Sequence, residues 1–337
     1  MTDRLLLENL TVGWDGAPVL AGVDLEVPAG TTMALLGPSG SGKSTLLRTV
    51  AGLLPSLGGT ICVGERDVTH VPAHRRGVGM VFQAHALFPH ANVGDNVGFG
   101  PRVQGLRGAE LTALVTRWLD TVGLPGMAAR DVNTLSGGQR QRVALARTLA
   151  TEPSVVLLDE PLGALDQGLR GTVLADLRGL FEQLGTTVVH VTHDPSEAAA
   201  LATAIAVLDA RGVAQCGTPL DLHERPVSAE VARLLGHPNV VTAEALRLTR
   251  SPQGPYAVIP PDAVQIVDFG DPTAIPASVT SVVPGASWLT TLTLDQGASM
   301  TVPTPPRTAP APGARVGLRL DMAAIWWVPE HRVVASG

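Results

Sequence analysis

The run Gly37-Pro38-Ser39-Gly40-Ser41-Gly42-Lys43-Ser44 constrains this chain more than any other feature. It matches the pattern G-x-x-x-x-G-K-[ST], and it lies between an apolar run, Thr31 to Leu36, that reads as a strand and a helix-like run, Thr45 to Leu53. Glycines at this spacing let backbone N–H groups wrap an anion, and the start of the following helix adds positive potential. Lys43 is expected to reach the β- and γ-phosphates of a nucleotide and the Ser44 hydroxyl to ligate Mg²⁺, with Thr45 closing the same cradle. Of the 24 basic side chains only Lys43 is a lysine. A chain that otherwise uses arginine throughout keeps a compact ammonium at this one position.

The remaining apolar runs organise the chain around that loop. Residues 5 to 13, the run around Val23 to Val27, Val78 to Phe82, Ser154 to Leu158, Thr187 to Val191 and Ile205 to Leu208 read as strands. Separated by helical stretches, they predict an α/β domain, residues 1–235, with a largely parallel core sheet. Leu111, Leu114, Val115, Trp118 and Leu119 fall at helical spacing, so a helical subdomain is expected over about 85–155. From residue 236 to 337 prolines multiply, and Ser278 to Val283, Leu289 to Leu294 and Val316 to Leu320 alternate as strands do. This predicts a small C-terminal β-barrel, with Pro303 to Pro312 as a loop.

Two further motifs carry chemistry. Val155 to Leu158 forms a buried strand ending in Asp159 and Glu160, the first placed to hold Mg²⁺ and the second to polarise an attacking water. Together with the glycine loop this specifies only a P-loop nucleotidase, a class that spans kinases, helicases and GTPases. Leu135-Ser136-Gly137-Gly138-Gln139 narrows it: a serine and two glycines open a helix predicted over Gln139 to Ala150, making a second anion cradle. Two cradles for one nucleotide make sense if the second comes from a partner chain. With these residues the sequence closely resembles the ATP-binding-cassette family, in which this signature closes on ATP bound to the opposite subunit.

The resemblance implies roles for further positions. Gln83 resembles the loop glutamine that senses Mg²⁺ and the attacking water and links the site to the helical subdomain, His193 the switch histidine at the γ-phosphate, and Gly163 to Asp166 the loop that crosses the dimer interface. Trp14 stands where the family stacks an aromatic on adenine; stacking selects bases weakly, which leaves GTP open as an alternative. The implied assembly is a homodimer sandwiching two ATP molecules, docked on integral membrane permease subunits at the cytoplasmic face and served indirectly by an extracytoplasmic substrate-binding protein. Ala86 to His90 resembles the importer subfamily, where this stretch helps receive a permease helix. The C-terminal region resembles the regulatory β domain of importer ATPases; Val316 to Asp321 followed by Ile325 to Pro329 is most like the ferric-iron type. Quaternary amine, polyamine, sulfate, thiamine and phosphonate remain alternative cargoes, and an exporter ATPase or a non-transport cassette ATPase remain alternative classes.

Bulk properties agree. The net charge of −6 offers no general field for nucleic acid. Although 45% of residues are hydrophobic, the most apolar stretch, Ala198 to Leu208, falls short of a span of about 20 residues. Asp3, Arg4 and Glu8 around a short leucine run lack the features of a secretory signal, so the chain is expected to stay in the cytosol. Cys62 and Cys216 show no metal-binding spacing.

Overall fold

Asp15 and Gly16 (φ 49° and 81°) form the tight Asp-Gly turn that matches the twist of a two-stranded ribbon, and it joins β1 (Leu5–Trp14) to β2 (Ala17–Val27). The computed structural model describes residues 2–83, 86–162, 167–248, 254–285 and 288–331, and the chain divides into two compact units, 1–219 and 220–337.

In the first unit β3 (Thr32–Leu36) runs into the glycine loop and α1 (Lys43–Val50). The strands β4 (Gly58–Val63) and β5 (Arg66–Asp67) then complete an antiparallel sheet of order β2-β1-β4-β5. After β6 (Val78–Val81) come the inserted helices α2 (Val93–Val97), α3 (Phe99–Val103), α4 (Gly108–Thr121) and α5 (Gly137–Leu149). The unit closes with β7 (Val155–Asp159), α6 (Gln167–Leu184), β8 (Thr187–Thr192), α7 (Pro195–Leu201), β9 (Ala204–Asp209) and β10 (Gly212–Gly217).

The core sheet has the order β10-β9-β3-β8-β7-β6, parallel except for β10. Both faces are covered, so β3, β7 and β8 are buried at every residue and read as continuous apolar runs rather than alternating ones. Alternate residues serve two cores. Val156, Leu158 and Val188 pack with Val115, Trp118, Leu119 and Phe181 from the helices, whereas Val155, Leu157, Val189 and Val191 pack with Leu46, Leu47 and the antiparallel sheet.

The second unit begins with α8 (Pro219–Glu224) and α9 (Ala229–Leu234) and continues through β11 (Val240–Thr242), β12 (Tyr256–Val258), β13 (Val264–Val267), β14 (Ile275–Val283), β15 (Trp288–Leu294), β16 (Ser299–Thr304), β17 (Arg315–Leu320) and β18 (Trp326–Val328). Two antiparallel sheets, β11-β12-β18 and β13-β17-β14-β15-β16, share one apolar core.

The domain break and the place of Pro303 differ from the sequence expectation. The break lies at residues 219 and 220 rather than near 235, because α9 packs Ala229 and Ala232 on Val258 and Val328 and belongs with the strands; composition changes only after the helices. Pro303, expected in a loop, lies inside β16, an edge strand, where a missing N–H is tolerated. Among the described residues no helix is long and apolar enough to cross a membrane.

Candidate active site

Parallel strands bring the chemistry to one edge. Leu36 pairs with Thr192 and Asp159 with Val191, so the glycine loop, Glu160 and His193 all leave the sheet at the same level, at its carboxyl end.

The loop is shaped by contacts that only glycine permits. A Cβ on Gly37 would lie 2.5 Å from the Leu208 carbonyl oxygen, and one on Gly42, whose φ is 89°, would lie 2.8 Å from Leu20 Cγ. Gly42 is also the N-cap of α1 and offers no side-chain cap, and no acidic residue stands in the first turn. The helix start is thereby left to an external anion. Pro38, Ser39 and Gly40 form the arch, and Lys43 lies under it, 5% exposed, donating from Nζ to the carbonyl oxygens of Gly37 and Pro38 at 2.8 Å and to Ser41 Oγ at 3.3 Å. Burial pulls the Lys43 ammonium below its usual range, against the opposing pull of Glu160 and Asp159.

Ser44 Oγ donates to Asp159 Oδ1 at 2.7 Å. Glu160, one residue on, adopts a left-handed backbone (φ 43°) and donates its N–H to the Val191 carbonyl. A glutamate held in that conformation stores strain of order 1–3 kcal/mol, which persists only where the surroundings over-determine it. Its carboxylate accepts from Gln83 Nε2 at 3.2 Å and lies 3.4 Å from His193 Nδ1. The turn carrying His193 is built by its neighbours: Asp194 caps α7 by accepting from Ser196 and Glu197 N–H, and the buried Thr192 hydroxyl donates to Glu197 Oε2. Trp14, 45% exposed at the end of β1, donates from Nε1 to Thr45 Oγ1 at 3.2 Å, which fixes the indole beside α1.

The structure thus brings Lys43, Ser44, Gln83, Asp159, Glu160 and His193 to one edge of the sheet, with Ser44 bonded to Asp159 and Glu160 to Gln83 and His193, and ties Trp14 to Thr45. Ser136 is exposed and caps α5, accepting from Gln139 N–H while the Gln139 side chain accepts from Ser136 N–H; Gly137 and Gly138 form the first helical turn. The helix starts two residues earlier than sequence suggested, because this reciprocal capping includes both glycines. Gly163 to Asp166, and so the expectation for Asp166, lie outside the described residues.

Among the described residues no cluster of three His, Cys, Asp or Glu side chains forms a metal cage. The donor set is instead a hydroxyl, a carboxylate and a carboxamide beside a buried ammonium and an uncapped helix start. That set fits a nucleotide with a small hard cation, which takes few protein oxygens and keeps water and phosphate oxygens for the rest. Sequence reasoning did not find Thr45 as the partner of the Trp14 indole, nor Glu197 as the support of the His193 turn; hydroxyl and carboxylate pairs of this kind leave no periodic signal.

Comparison with known proteins follows the same division. Residues 20–163 match the ABC transporter family and residues 257–328 the TOBE domain. The chain is 43% identical, over 95% of its length and 97% of the relative's, to the Fe(3+) ions import ATP-binding protein FbpC of Streptomyces avermitilis. It is 47% identical to the sulfate/thiosulfate import ATP-binding protein CysA of Mycobacterium tuberculosis, over 73% of this chain and 70% of that one. Among solved structures, the dimeric post-hydrolysis state of the ATP-binding cassette MJ0796 bound to ADP and Pi is similar with a TM-score of 0.56 at 31% identity, covering 64% of this chain and 98% of that chain.

Proposed function

The chain belongs to the ATP-binding-cassette transporter family, and we propose that it is the ATP-hydrolysing subunit of an importer, working as a homodimer on a separate membrane permease. The observation that carries this reading is the network at the sheet edge, in which one glutamate is aimed by a glutamine and a histidine beside a buried lysine under a glycine arch.

Each residue then has a task. Ser44 and Asp159 would hold Mg²⁺, with Gln83 at its edge, and the ion supplies charge neutralisation at the γ-phosphoryl. Lys43 exchanges the carbonyls of Gly37 and Pro38 for phosphate oxygens, and the anion restores the proton affinity that burial lowers. Residues Gly37 to Thr45 present backbone donors and hydroxyls to the phosphates. Glu160 orients water and accepts its proton, while Gln83 and His193 hold its two oxygens in the aimed position. Trp14 stacks on the base. Ser136 to Gln139 of a second copy complete the cradle, with Asp166 at the interface between copies, and closure and reopening of the dimer do the mechanical work.

The permease would dock on apolar surface near Ala86 to His90, where Phe88 meets Phe99 at 4.8 Å between ring centroids and Phe99 and Val103 are 48% and 74% exposed. The protein is then peripheral at the cytoplasmic face, and an extracytoplasmic substrate-binding protein delivers the cargo. Ferric iron is the cargo we favour, because similarity to the ferric-iron relative runs through the C-terminal unit, whereas the sulfate relative matches over 73% of the chain. Trapping the Glu160→Gln chain with ATP and Mg²⁺ in native membranes and identifying its companions by mass spectrometry tests the proposal. A permease and a substrate-binding protein are expected, followed by uptake assays with iron and sulfate; recovery with soluble nucleic-acid machinery would contradict it.

A further inference from the structure

Trp14 meets the helix of the phosphate loop with the edge of its ring. The indole Nε1 donates to Thr45 Oγ1 at 3.2 Å, with the indole nearly half exposed and Thr45 buried. Hairpin geometry holds the indole there. A Cβ on Gly13 would lie 1.9 Å from the Ala17 carbonyl oxygen, so glycine alone lets the end of β1 close on β2, and Trp14 pairs with Ala17 across the turn. The same arm meets the loop a second time, where a Cβ on Gly42 would lie 2.8 Å from Leu20 and 3.0 Å from Val19 of β2. Hairpin and phosphate loop are thus registered at two points, one of them a hydrogen bond.

The direction of that bond is fixed, because an indole N–H only donates and Thr45 must therefore accept. The hydroxyl keeps one proton to give. Among the described residues no protein group takes it: the bond to Trp14 is the only one made by the Thr45 side chain, and the Thr45 carbonyl serves Thr49 Oγ1 instead. Thr45 also lies in the first turn of α1, whose N–H groups have no acceptor within the helix. Its O–H and N–H are thus both offered on the turn that Lys43 and Ser44 begin, and a hydroxyl that accepts one bond donates the next more strongly. We propose that Trp14 is a positioning residue for the phosphates as well as a platform for the base: its ring edge orients the Thr45 hydroxyl to donate to a phosphate oxygen, while its face is left to stack. This inference rests on the nucleotide-binding reading above. A phenylalanine here would supply the face and could not set the hydroxyl.

The experiment compares the affinity of the full chain for MgATP with its affinity for magnesium tripolyphosphate, which carries the phosphates without a base, the latter read by displacement of labelled ATP. The chains are the parent, Trp14→Phe, Thr45→Val and the double variant. Trp14→Phe keeps a ring to stack and loses the N–H; it is expected to weaken tripolyphosphate about fivefold, the scale of one hydrogen bond. Once Thr45→Val has removed the hydroxyl, Trp14→Phe should cost tripolyphosphate nothing further, and the same cycle on MgATP should be non-additive. Thr45→Ser keeps the hydroxyl and should restore the sensitivity to Trp14→Phe. Trp14→Tyr, which also lacks the N–H, takes the place of the phenylalanine variant if that chain does not fold. Parental tripolyphosphate affinity in Trp14→Phe together with an additive MgATP cycle overturns the inference and leaves Trp14 a platform for the base alone. An equal loss in the Thr45→Val background also overturns it, being the mark of a merely structural role for the hairpin. A parent that binds neither MgATP nor tripolyphosphate would instead remove the nucleotide-binding reading, and this inference with it.

Discussion

Replacing His190 by leucine isolates a titration that the fold itself creates. His190 lies within β8 between Ala34 of β3 and Leu158 of β7, is 0% exposed, and has no hydrogen-bond partner on either ring nitrogen. Burial pushes its imidazole from the ordinary 6.5 down to about 4, because protonation would strand a cation among aliphatic side chains. The unfolded chain takes up this proton near pH 6.5 and the folded chain only near pH 4. Between those values the unfolded state therefore holds more protons, and stability falls as pH falls. At about 1.4 kcal/mol per pH unit, acidifying to pH 5 removes about 2 kcal/mol and to pH 4 about 3 kcal/mol. Leucine is close in volume, leaves no unpaired nitrogen and does not titrate. Urea unfolding of both chains at pH 7.5, 6 and 5 measures the difference between them, which cancels every other titrating group. The variant should be at least as stable at pH 7.5 and should gain about 2 kcal/mol on the parent at pH 5. A constant difference across pH would refute the reasoning, since it would mean that the buried imidazole charges without cost or that the site admits water.

Three substitutions probe the nucleotide cradle. Ser44→Ala removes the hydroxyl bonded to Asp159 and should abolish the Mg²⁺ enhancement of ATP affinity while costing the free protein only about 1 kcal/mol, as titration calorimetry with and without the ion and thermal unfolding will report. Trp14→Ala should weaken ATP and GTP alike by about 1–3 kcal/mol, the scale of base stacking on an aromatic ring, and competition binding distinguishes this from base-selective loss. Gly42→Ala forces a side chain into φ 89° and against Leu20, so a loss of roughly 2–4 kcal/mol in unfolding free energy is expected together with loss of nucleotide binding; a stable variant that binds normally would show that the loop relaxes.

Much of the first unit is legible in the sequence because both of its signals are local. Strands buried on two faces are continuous apolar runs, as in Val155 to Leu158 and Thr187 to Val191, and the phosphate loop is a contiguous motif whose glycines answer to contacts with Leu208 and Leu20. The positions that meet in space from distant parts of the chain are less visible. Gln83, Glu160 and His193 are ordinary residues until the register of parallel strands brings their ends level, and only the family resemblance singled out Gln83 and His193 beforehand. Arg147, Asn96 and Asn133 donate to the backbone carbonyls of Ala86, Phe88 and Pro89, which any sequence supplies, so no pattern of residue types announces them. The short strands β4, β5, β10 to β13, β16 and β18 were missed for a related reason: a run of two to six residues fixed by its neighbours is too short to show a period.

Hydrolysis by this chain depends on Glu160 above any other residue. Its carboxylate is the group held between Gln83 and His193, so Glu160→Gln keeps the size and the cradle while removing the base. The direct measurement is steady-state ATP turnover by purified wild-type and Glu160→Gln chains alongside ATP affinity. Turnover should fall by about 10²- to 10⁴-fold, the usual contribution of a positioned general base, with affinity retained. Turnover persisting in a clean preparation of the variant would contradict the assignment of Glu160 and the mechanism built on it.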